Sequence, residues 1–268
     1  MLELVDTHVH LDDPRLCKDL EQILTEAQQA GVKRLINIGH NLESSRASLQ
    51  LAQRYNNIWA AVGVHPHSAK EMTAAHWEEL QALAVQPKVV AIGEIGLDYH
   101  YDHSPRPVQR EVFKGQLELA KEVGLPVVIH QREAVQETLG LLKQFAPLPH
   151  GGVMHCFSGS VETLRQCLEM NLHIGLGGTV TFANARRVKE VAAAVPLSRL
   201  VLETDCPYLA PHPHRGKTNR PGFLPLIAEE ISKLRSLEVD QLAAICAANA
   251  EALFALGINR GGDVNNIW

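Results

Sequence analysis

Leu4-Val5-Asp6-Thr7-His8-Val9-His10 lies at the start of the sequence, three residues after its first position. The run is short and rich in aliphatic and β-branched residues, which is typical of a strand. On a strand, residues two apart point to the same face, so His8 and His10 would lie side by side. Such a pair can chelate one ion, although His-x-His alone is equally compatible with two unrelated histidines.

Seven more runs of this kind follow along the chain. Each is rich in Val, Ile and Leu and is bounded by turn residues, as buried parallel strands are. The eight predicted strands are 4–10, 34–39, 58–65, 89–97, 126–130, 152–157, 173–178 and 200–205.

Amphipathic stretches between these runs predict helices, and Gly, Asn or Pro marks most of their ends. The clearest are 20–31, 111–122, 160–170, 186–194, 223–234 and 239–256. Repeated alternation of strand and helix predicts an α/β fold, a (β/α)8 TIM barrel formed as a single domain by residues 1–257, with a short polar tail at 258–268. The alternative is an open doubly wound sheet, but the Gly-x-Gly-x-x-Gly that usually follows its first strand is absent.

Composition limits the classes of function. The 268 residues are 46% hydrophobic and 21% charged, as in ordinary globular domains. A formal net charge of −5 argues against a broad basic surface for nucleic acid, but a local basic patch or bound cations could still meet phosphates.

The same composition bears on where the protein works. The N-terminal residues lack the pattern of a signal peptide, and no apolar run approaches the ~20 residues that span a bilayer. The five cysteines are widely spaced and contain no Cys-x-x-Cys. We therefore expect a cytoplasmic protein with no membrane partner, and a monomer, although the oligomeric state is left open.

Residues that bind metals recur in four other predicted strands. Glu94 lies in the fourth strand, His130 ends the fifth, His155 lies in the sixth and Asp205 ends the eighth. Each residue alone could be a water-facing or capping group. The carboxyl ends of barrel strands meet at one rim, where barrel enzymes have their active sites. These four residues and the histidine pair of the first strand would crowd together there, and such a cluster predicts a metal centre.

Four imidazoles and two carboxylates exceed what one tetrahedral zinc needs and suit two divalent ions ~4 Å apart that share a carboxylate. Imidazole-rich ligation favours Zn, whereas phosphodiester chemistry favours Mg or Mn. Glu94 is the predicted bridge. The other predicted ligands are His8, His10 and Asp205 for one ion, and His130 and His155 for the second ion.

Six motifs occur in an order that matches a known family. They are Asp6-Thr7-His8-Val9-His10-Leu11-Asp12, Gly63-Val64-His65-Pro66-His67, Gly93-Glu94-Ile95-Gly96-Leu97-Asp98-Tyr99, His155-Cys156-Phe157-Ser158-Gly159, Glu203-Thr204-Asp205-Cys206-Pro207-Tyr208 and Pro213-His214-Arg215-Gly216-Lys217-Thr218-Asn219. Together they resemble the TatD family of metal-dependent deoxyribonucleases, within the amidohydrolase-type barrels. The resemblance covers about residues 4–256.

This resemblance implies a (β/α)8 barrel, a divalent-metal centre and hydrolysis of DNA phosphodiesters, and it places the family's ligands on the same six residues. One departure is Gln131, where the family usually has Ser or Cys after the fifth-strand histidine. Arg132 and Ala134 of the same stretch are retained, so Gln131 bears on the substrate rim rather than on the ligand. Cys206 is a milder departure, since Ser or Ala is common there.

Asp205, Glu94 and His65 are the predicted catalytic residues. Asp205 would orient a water activated by the metal and accept its proton, or act only as a ligand. His65 could donate to a phosphate oxygen, protonate the leaving group or hydrogen-bond to Glu94. His67 is expected to lie in a loop and to approach the substrate.

Arg132, Arg215 and Lys217 form the predicted local basic patch for a DNA phosphate, although isolated charges on a solvated loop are the alternative. Glu203 is expected to hold a ligand histidine through its second nitrogen, and Asp98 to do the same or to cap the following loop.

The remaining aromatic and histidine side chains have less specific predictions. Tyr99, Tyr101 and Phe157 could stack on a base, with ordinary packing the better expectation for Phe157. His76, His150 and His173 are expected at the surface or in loops.

Three functions compete at this point. The first is a 3′–5′ exonuclease on single-stranded DNA, because a narrow mouth admits a chain end more easily than a duplex. The second is hydrolysis of a small ester, lactone, amide or aminoacyl ester, because a barrel does not fix a substrate. Related barrels of that second class often bridge their metals with a modified Lys on the fourth strand, where this chain has Glu94. The third is a metal-binding scaffold without activity, against which the full ligand set argues.

Overall fold

Eight parallel strands pair side by side in the order of the sequence, in the computed structural model, which describes residues 2–257. This order confirms the predicted (β/α)8 barrel and excludes a doubly wound sheet, whose strand order reverses at a switch point. The predicted tail, 258–268, lies outside the described residues. The strands are β1 (Leu4–Val9), β2 (Val32–Ile38), β3 (Ile58–Val62), β4 (Val89–Asp98), β5 (Val127–Arg132), β6 (Gly152–Met154), β7 (Leu172–Leu176) and β8 (Leu200–Leu202).

Helices surround the strands. β1, β4 and β7 are buried along their whole length, as strands with both faces covered must be. No helix within residues 2–257 is long and apolar enough to cross a membrane. The helices are α1 (Leu20–Gln29), α2 (Leu42–Arg54), α3 (Ala74–Ala84), α4 (Arg106–Val123), α5 (Val135–Leu142), α6 (Val161–Glu169), α7 (Arg186–Ala194), α8 (Leu224–Arg235) and α9 (Val239–Phe254).

Several strands end elsewhere than predicted. β3, β6 and β8 stop earlier, so His65, His155 and Asp205 lie in the turns that follow these strands rather than on them. Asp205 has a φ of 58°, a left-handed conformation that a strand residue does not adopt, so the ladder must end before it. β5 instead continues past His130, which therefore lies within the strand. The prediction of strand ends was wrong at these positions, while their placement at the carboxyl-terminal rim was right.

The barrel closes between β1 and β8 at the rim itself. The backbone N–H of His10 donates to the carbonyl of Cys206 at 2.9 Å, and that of Asp205 donates to the carbonyl of His8 at 2.9 Å. The predicted ligands His8, His10 and Asp205 therefore also take part in the backbone hydrogen bonds that close the barrel.

Asp6 reinforces this closure from below the rim. Its carboxylate, fully buried, accepts from the backbone N–H of Thr204 at 2.9 Å and from the Thr204 hydroxyl at 2.6 Å. Burial raises the pKa of Asp6 to about 7, although the Thr204 hydrogen bonds act to lower it.

The position of His173 differs from the one predicted from the sequence. His173 was expected at the surface or in a loop, but it lies on β7 and its residue is only 8% exposed. The run Leu172–Leu176 is otherwise aliphatic and forms a strand between β6 and β8, which places its one imidazole in the interior.

Candidate metal centre

The six predicted ligands converge on one pocket at the carboxyl-terminal rim. Within residues 2–257, clusters of His, Asp and Glu that could hold a metal ion include His8 with His10 and Glu94, and His8 with His155 and Asp205. A further cluster joins Glu94 to His130, the sixth predicted ligand. The groups come from five different strands or the turns after them, which is how barrel enzymes assemble a site.

Glu94 stands at the centre of the pocket and faces two sets of histidines. Its Oε2 atom lies 3.6 Å from Nε2 of His8. Its Oε1 atom lies 2.9 Å from Nδ1 of His130 and 3.6 Å from Nε2 of His155. A carboxylate whose two oxygens face separate ligand sets has the geometry of a bridge between two ions.

His8 and His10 point their Nε2 atoms at each other across 3.2 Å. Nδ1 of His10 lies 3.0 Å from the carbonyl of Ile38 and donates to it, so Nε2 of His10 presents a lone pair. Oδ1 of Asp205 completes the group, 3.6 Å from Nε2 of His10 and 3.8 Å from Nε2 of His8. Convergent imidazole lone pairs beside a carboxylate suit a divalent cation, so the residues present fit one.

The two carboxylates of the pocket are held ionised. Burial by itself would raise the pKa of Glu94, but the surrounding imidazoles, with hydrogen bonds from His130 and His8, outweigh it and hold that pKa well below its usual range. Burial likewise opposes ionisation of Asp205, and its neighbours His155 and His10 lower its pKa. Both groups therefore present charged oxygens to the pocket.

Asp98 performs both of the tasks that were considered for it. Its Oδ2 atom lies 3.1 Å from Nε2 of His130, and its Oδ1 atom accepts two backbone N–H groups of the following loop, at 3.0 and 2.9 Å. A proton held on Nε2 leaves Nδ1 of His130, the atom beside Glu94, free to act as a ligand. His67, for which an approach to the substrate was predicted, also has its Nε2 atom 3.1 Å from Oδ2 of Asp98.

Glu203 lies one layer below the rim, as expected, and its Oε1 atom is 3.1 Å from Nδ1 of His155. The same oxygen accepts the backbone N–H of Cys156 at 2.5 Å. A Cβ atom on Gly175 would lie 2.3 Å from Oε2 of Glu203, so only glycine leaves room for this carboxylate. Burial opposes the charged form of His155, but the carboxylates of Glu203 and Asp205 outweigh it and raise its pKa to about 10.

His65 is a neutral hydrogen-bond donor. Its Nδ1 atom accepts the backbone N–H of His67 at 3.1 Å, so the ring proton must lie on Nε2. Burial, helped by the neighbouring imidazole of His130, lowers the pKa of His65 well below its usual value. Nε2 lies 3.9 Å from Oε1 of Glu94 and faces the pocket. This arrangement suits donation to an anionic oxygen better than proton transfer from a charged ring.

Two glutamines of α4 fix the end of β4 at Asp98 and the loop that carries His65, and no sequence motif marks either of them. Gln116 accepts from the backbone N–H of Val64 at 2.7 Å and donates to its carbonyl at 2.9 Å. Gln109 accepts from the backbone N–H of Asp98 at 2.9 Å and donates to its carbonyl at 3.1 Å. Their spacing of seven residues, two helical turns, is the only hint of a shared face.

The predicted basic residues lie at two places of the mouth: Arg132 ends β5, whereas Arg215 and Lys217 lie on the loop after β8. The guanidinium of Arg132 lies 4.7 Å from the ring centre of Tyr101, and that of Arg215 lies 4.5 Å from the ring centre of Phe182. Lys217 is exposed on the same loop as Arg215. None of the three cations forms an ion pair with another residue of the described 2–257, so their charges are available to a ligand.

The family model for TatD related DNases matches residues 5–255. The chain belongs to this family. Membership confirms the predicted enzyme class, a metal-dependent hydrolase acting on ester bonds.

Named relatives of the TatD family cover nearly the whole chain. The metal-dependent hydrolase YabD of Bacillus subtilis is 42% identical over 253 residues, which are 94% of this chain and 99% of that protein. The 3′–5′ ssDNA/RNA exonuclease TatD of Citrobacter rodentium is 38% identical over 260 residues, 94% of this chain and 98% of that protein. The crystal structure of YJJV, a TatD homologue from Escherichia coli K12, has a TM-score of 0.89 and 35% identity, covering 94% of this chain and 98% of that chain.

Proposed function

We propose that the protein shortens single-stranded DNA from its 3′ end by hydrolysing phosphodiester bonds at a site for two divalent cations. The observation that carries this proposal is the position of Glu94, whose two oxygens face separate histidine sets at 3.6 Å and 2.9 Å. Such a shared carboxylate suits in-line displacement at phosphorus, in which attacking and leaving oxygens both need stabilisation. Relatives of the same family carry the name 3′–5′ ssDNA/RNA exonuclease, which supports the polarity and the class of substrate.

We divide the residues between the two cations by the oxygen of Glu94 that each histidine faces; His155 faces Oε1 at 3.6 Å and also lies 4.0 Å from Oδ1 of Asp205. Glu94 would contribute one oxygen to each. The other residues that would hold a cation are His8, His10 and Asp205 on one side, and His130 and His155 on the other. When bound, the cations would neutralise charge on the phosphate and make water more acidic.

This chain's own groups supply the remaining steps. Asp205 has its Oδ1 atom at the pocket and is ionised, because neighbouring histidines outweigh burial and lower its pKa. As a carboxylate it can orient a water and accept its proton. His65 donates from Nε2 to a non-bridging phosphate oxygen, where charge increases during attack. Arg132, with Arg215 and Lys217 farther along the mouth, binds phosphates of the strand on either side.

The substrate is tested with protein stripped of metal and reloaded with Mg, Mn or Zn. It is offered single-stranded DNA labelled at the 5′ or the 3′ end, tRNA and a panel of lactones. We expect a ladder of shortened products from the 5′ label and release of a mononucleotide from the 3′ label. No cleavage of nucleic acid with any of the three metals, together with fast lactone turnover, would reverse the assignment in favour of a small-ester hydrolase.

Glu94→Gln tests the shared carboxylate directly. Elemental analysis of the variant should show less bound metal per chain than in the parent, and DNA cleavage should be lost, because one amide cannot bridge two cations as a carboxylate does. Glu133→Gln is the matched control, since Glu133 lies at the same mouth with its side chain 64% exposed and paired with His100. Full metal content and full turnover in Glu94→Gln would contradict the bridge.

A further inference from the structure

Exposed aromatic side chains are concentrated at the mouth of the barrel. Among the described residues, 2–257, the large apolar side chains with the greatest exposure include Tyr101 at 51% and Tyr208 at 47%. Tyr101 follows Asp98 by three residues, and Tyr208 follows Asp205 by three, so both lie on loops that leave the candidate metal centre. Exposed aromatic rings beside a site indicate a surface that a ligand covers.

The two rings stand at opposite ends of the pocket. Tyr208 is next to His10, with ring centres 6.0 Å apart, on the side where Asp205 lies. Tyr101 is next to His67, with ring centres 5.5 Å apart, on the side where Asp98 holds His130. The candidate ligands lie between these two ends, so a phosphate bound at the cations would have one tyrosine on each side.

Each ring is held by an arginine that lies over one of its faces. The guanidinium of Arg15 is 4.4 Å from the ring centre of Tyr208, and two hydrogen bonds to Asp13, of 2.8 and 2.7 Å, fix it there. The guanidinium of Arg132 is 4.7 Å from the ring centre of Tyr101. A cation over one face orders the ring, while about half of the side chain stays exposed. The exposed imidazole of His103 lies parallel to Tyr101 with ring centres 5.4 Å apart, in the position that a stacked base would take.

The chemistry of these pairs suits a flat base next to an anionic backbone. Aromatic rings stack on any base because every base has a π-face, and neighbouring arginines add charge for the phosphates. A base within a duplex is already stacked and paired, so it cannot also lie on a tyrosine at each side of one phosphate. The arrangement therefore selects strands whose bases are unpaired on both sides of the cut.

We propose that Tyr101 and Tyr208 are two base-stacking platforms that bind the nucleotides flanking the scissile phosphate, one the terminal base and the other the penultimate base. This inference rests on the proposed function, since it places a nucleic-acid strand across the cations. It assigns the preference for single strands to two residues rather than to the width of the mouth.

The test pairs each ring with one base. Parent, Tyr101→Ala and Tyr208→Ala are compared on a single strand and on two versions of it that lack either the terminal or the penultimate base. On the complete strand, each alanine variant should lower kcat/KM about 10-fold, as expected for loss of one stacked base. When the base that stacks on a given ring is missing from the strand, the alanine variant of that ring should have the same kcat/KM as the parent on that strand. Tyr101→Phe and Tyr208→Phe should retain parental values, because the ring remains.

Tyr55→Ala is the matched control. Tyr55 also has an arginine over its ring, Arg54 at 5.1 Å, but it caps the end of α2 and lies away from the mouth. Its loss should leave kcat/KM and the dependence on each base unchanged, and thermal melting should show that all three alanine variants fold.

The outcomes separate the two proposals. If the parent cleaves no nucleic acid, the proposed function has failed. If the parent cleaves single strands but Tyr101→Ala and Tyr208→Ala behave like Tyr55→Ala, only the stacking proposal has failed. The assignment of one ring to each base would also be overturned if removal of one base abolished the effect of both alanine variants on kcat/KM. The same holds if removal of either base left the effects of both variants unchanged.

Discussion

Buried carboxylates set the protonation of two candidate ligand histidines, and this is the finest scale at which the site is organised. Asp98 faces Nε2 of His130 at 3.1 Å, and Glu203 faces Nδ1 of His155 at 3.1 Å. In each ring the opposite nitrogen faces Glu94. A histidine that binds a cation gives up its second proton. A carboxylate at the outer nitrogen then holds the remaining proton there and leaves the inner nitrogen with its lone pair towards the pocket.

Asp98→Asn removes the negative charge that holds the proton on Nε2 of His130 but keeps the size of the side chain. The amide can still accept the two backbone N–H groups of the loop, but its NH2 group would face the N–H of His130 and favour the tautomer with the proton on Nδ1. We expect kcat/KM or metal affinity to fall about 10- to 100-fold, as for other losses of a partner behind a metal ligand. Metal titration and steady-state kinetics measure the two effects separately.

Asp102→Asn provides the comparison, since Asp102 lies on the same loop, is partly exposed and pairs with Arg106 at 2.7 Å. That variant should bind metal and turn over as the parent does. Equal losses in Asp98→Asn and Asp102→Asn would show that charge in the loop matters and that the contact with His130 does not.

At the scale of an element, α4 positions one half of the pocket. Gln109 and Gln116 are both buried, and each makes a pair of hydrogen bonds to one peptide backbone, at Asp98 and at Val64. Since Asp98 ends β4 and Val64 lies in the loop after β3, the helix fixes the distance between His65 and Asp98. The contact is made by side-chain amides, which can donate and accept at the same peptide unit.

Gln116→Leu should loosen this half of the site. The substitution keeps an apolar side chain of similar size but leaves the buried N–H and C=O of Val64 without partners, at about 1–3 kcal/mol each, so we expect the free energy of unfolding to fall by about 2–4 kcal/mol. Displacement of His65 should lower kcat about 10- to 100-fold. Urea unfolding and kinetics test both, with Gln22→Leu on the exposed face of α1 as control. A stable variant with parental kcat would refute the role of α4.

The same elements indicate what a sequence can and cannot disclose. His8, His10 and Glu94 were predictable because strand alternation and the shared rim of a barrel follow from local pattern. Gln109, Gln116 and Arg15 were not, because their partners are fixed only by how helices and loops pack across the fold. The helices α2, α3 and α5 were not singled out, although Asn41 and Thr73 cap the first two.

At the scale of the whole molecule, the candidate metal centre is assembled by the same contacts that close the barrel. The hydrogen bonds that join the end of β1 to the turn after β8 run through His8, His10 and Asp205, and Asp6 joins Thr204 directly below them. A chain that has not closed the barrel therefore has no complete pocket. Because the sheet closes only when its first and last strands meet, the site depends on contacts almost 200 residues apart in sequence.

Global stability should weaken in mild acid because of a histidine outside the pocket. Burial, with Arg199 nearby, lowers the pKa of His173 to about 4 in the folded protein, below the value of 6.5 expected when the chain is unfolded. Between these two values the unfolded chain binds a proton that the folded protein does not, so the stabilisation is complete above about pH 6.5 and is lost as the pH falls towards 4.

His173→Gln removes this proton linkage while keeping a polar side chain of comparable length. Between pH 7 and pH 5 the parent should lose about 2 kcal/mol more unfolding free energy than the variant, since each unit of pKa shift corresponds to about 1.4 kcal/mol. The pH-independent cost of the substitution cancels, because each protein is compared with itself at the two pH values. Urea unfolding curves for both proteins at both pH values give the difference. Parallel pH dependence in parent and variant would mean that His173 is protonated equally in the folded and unfolded chains.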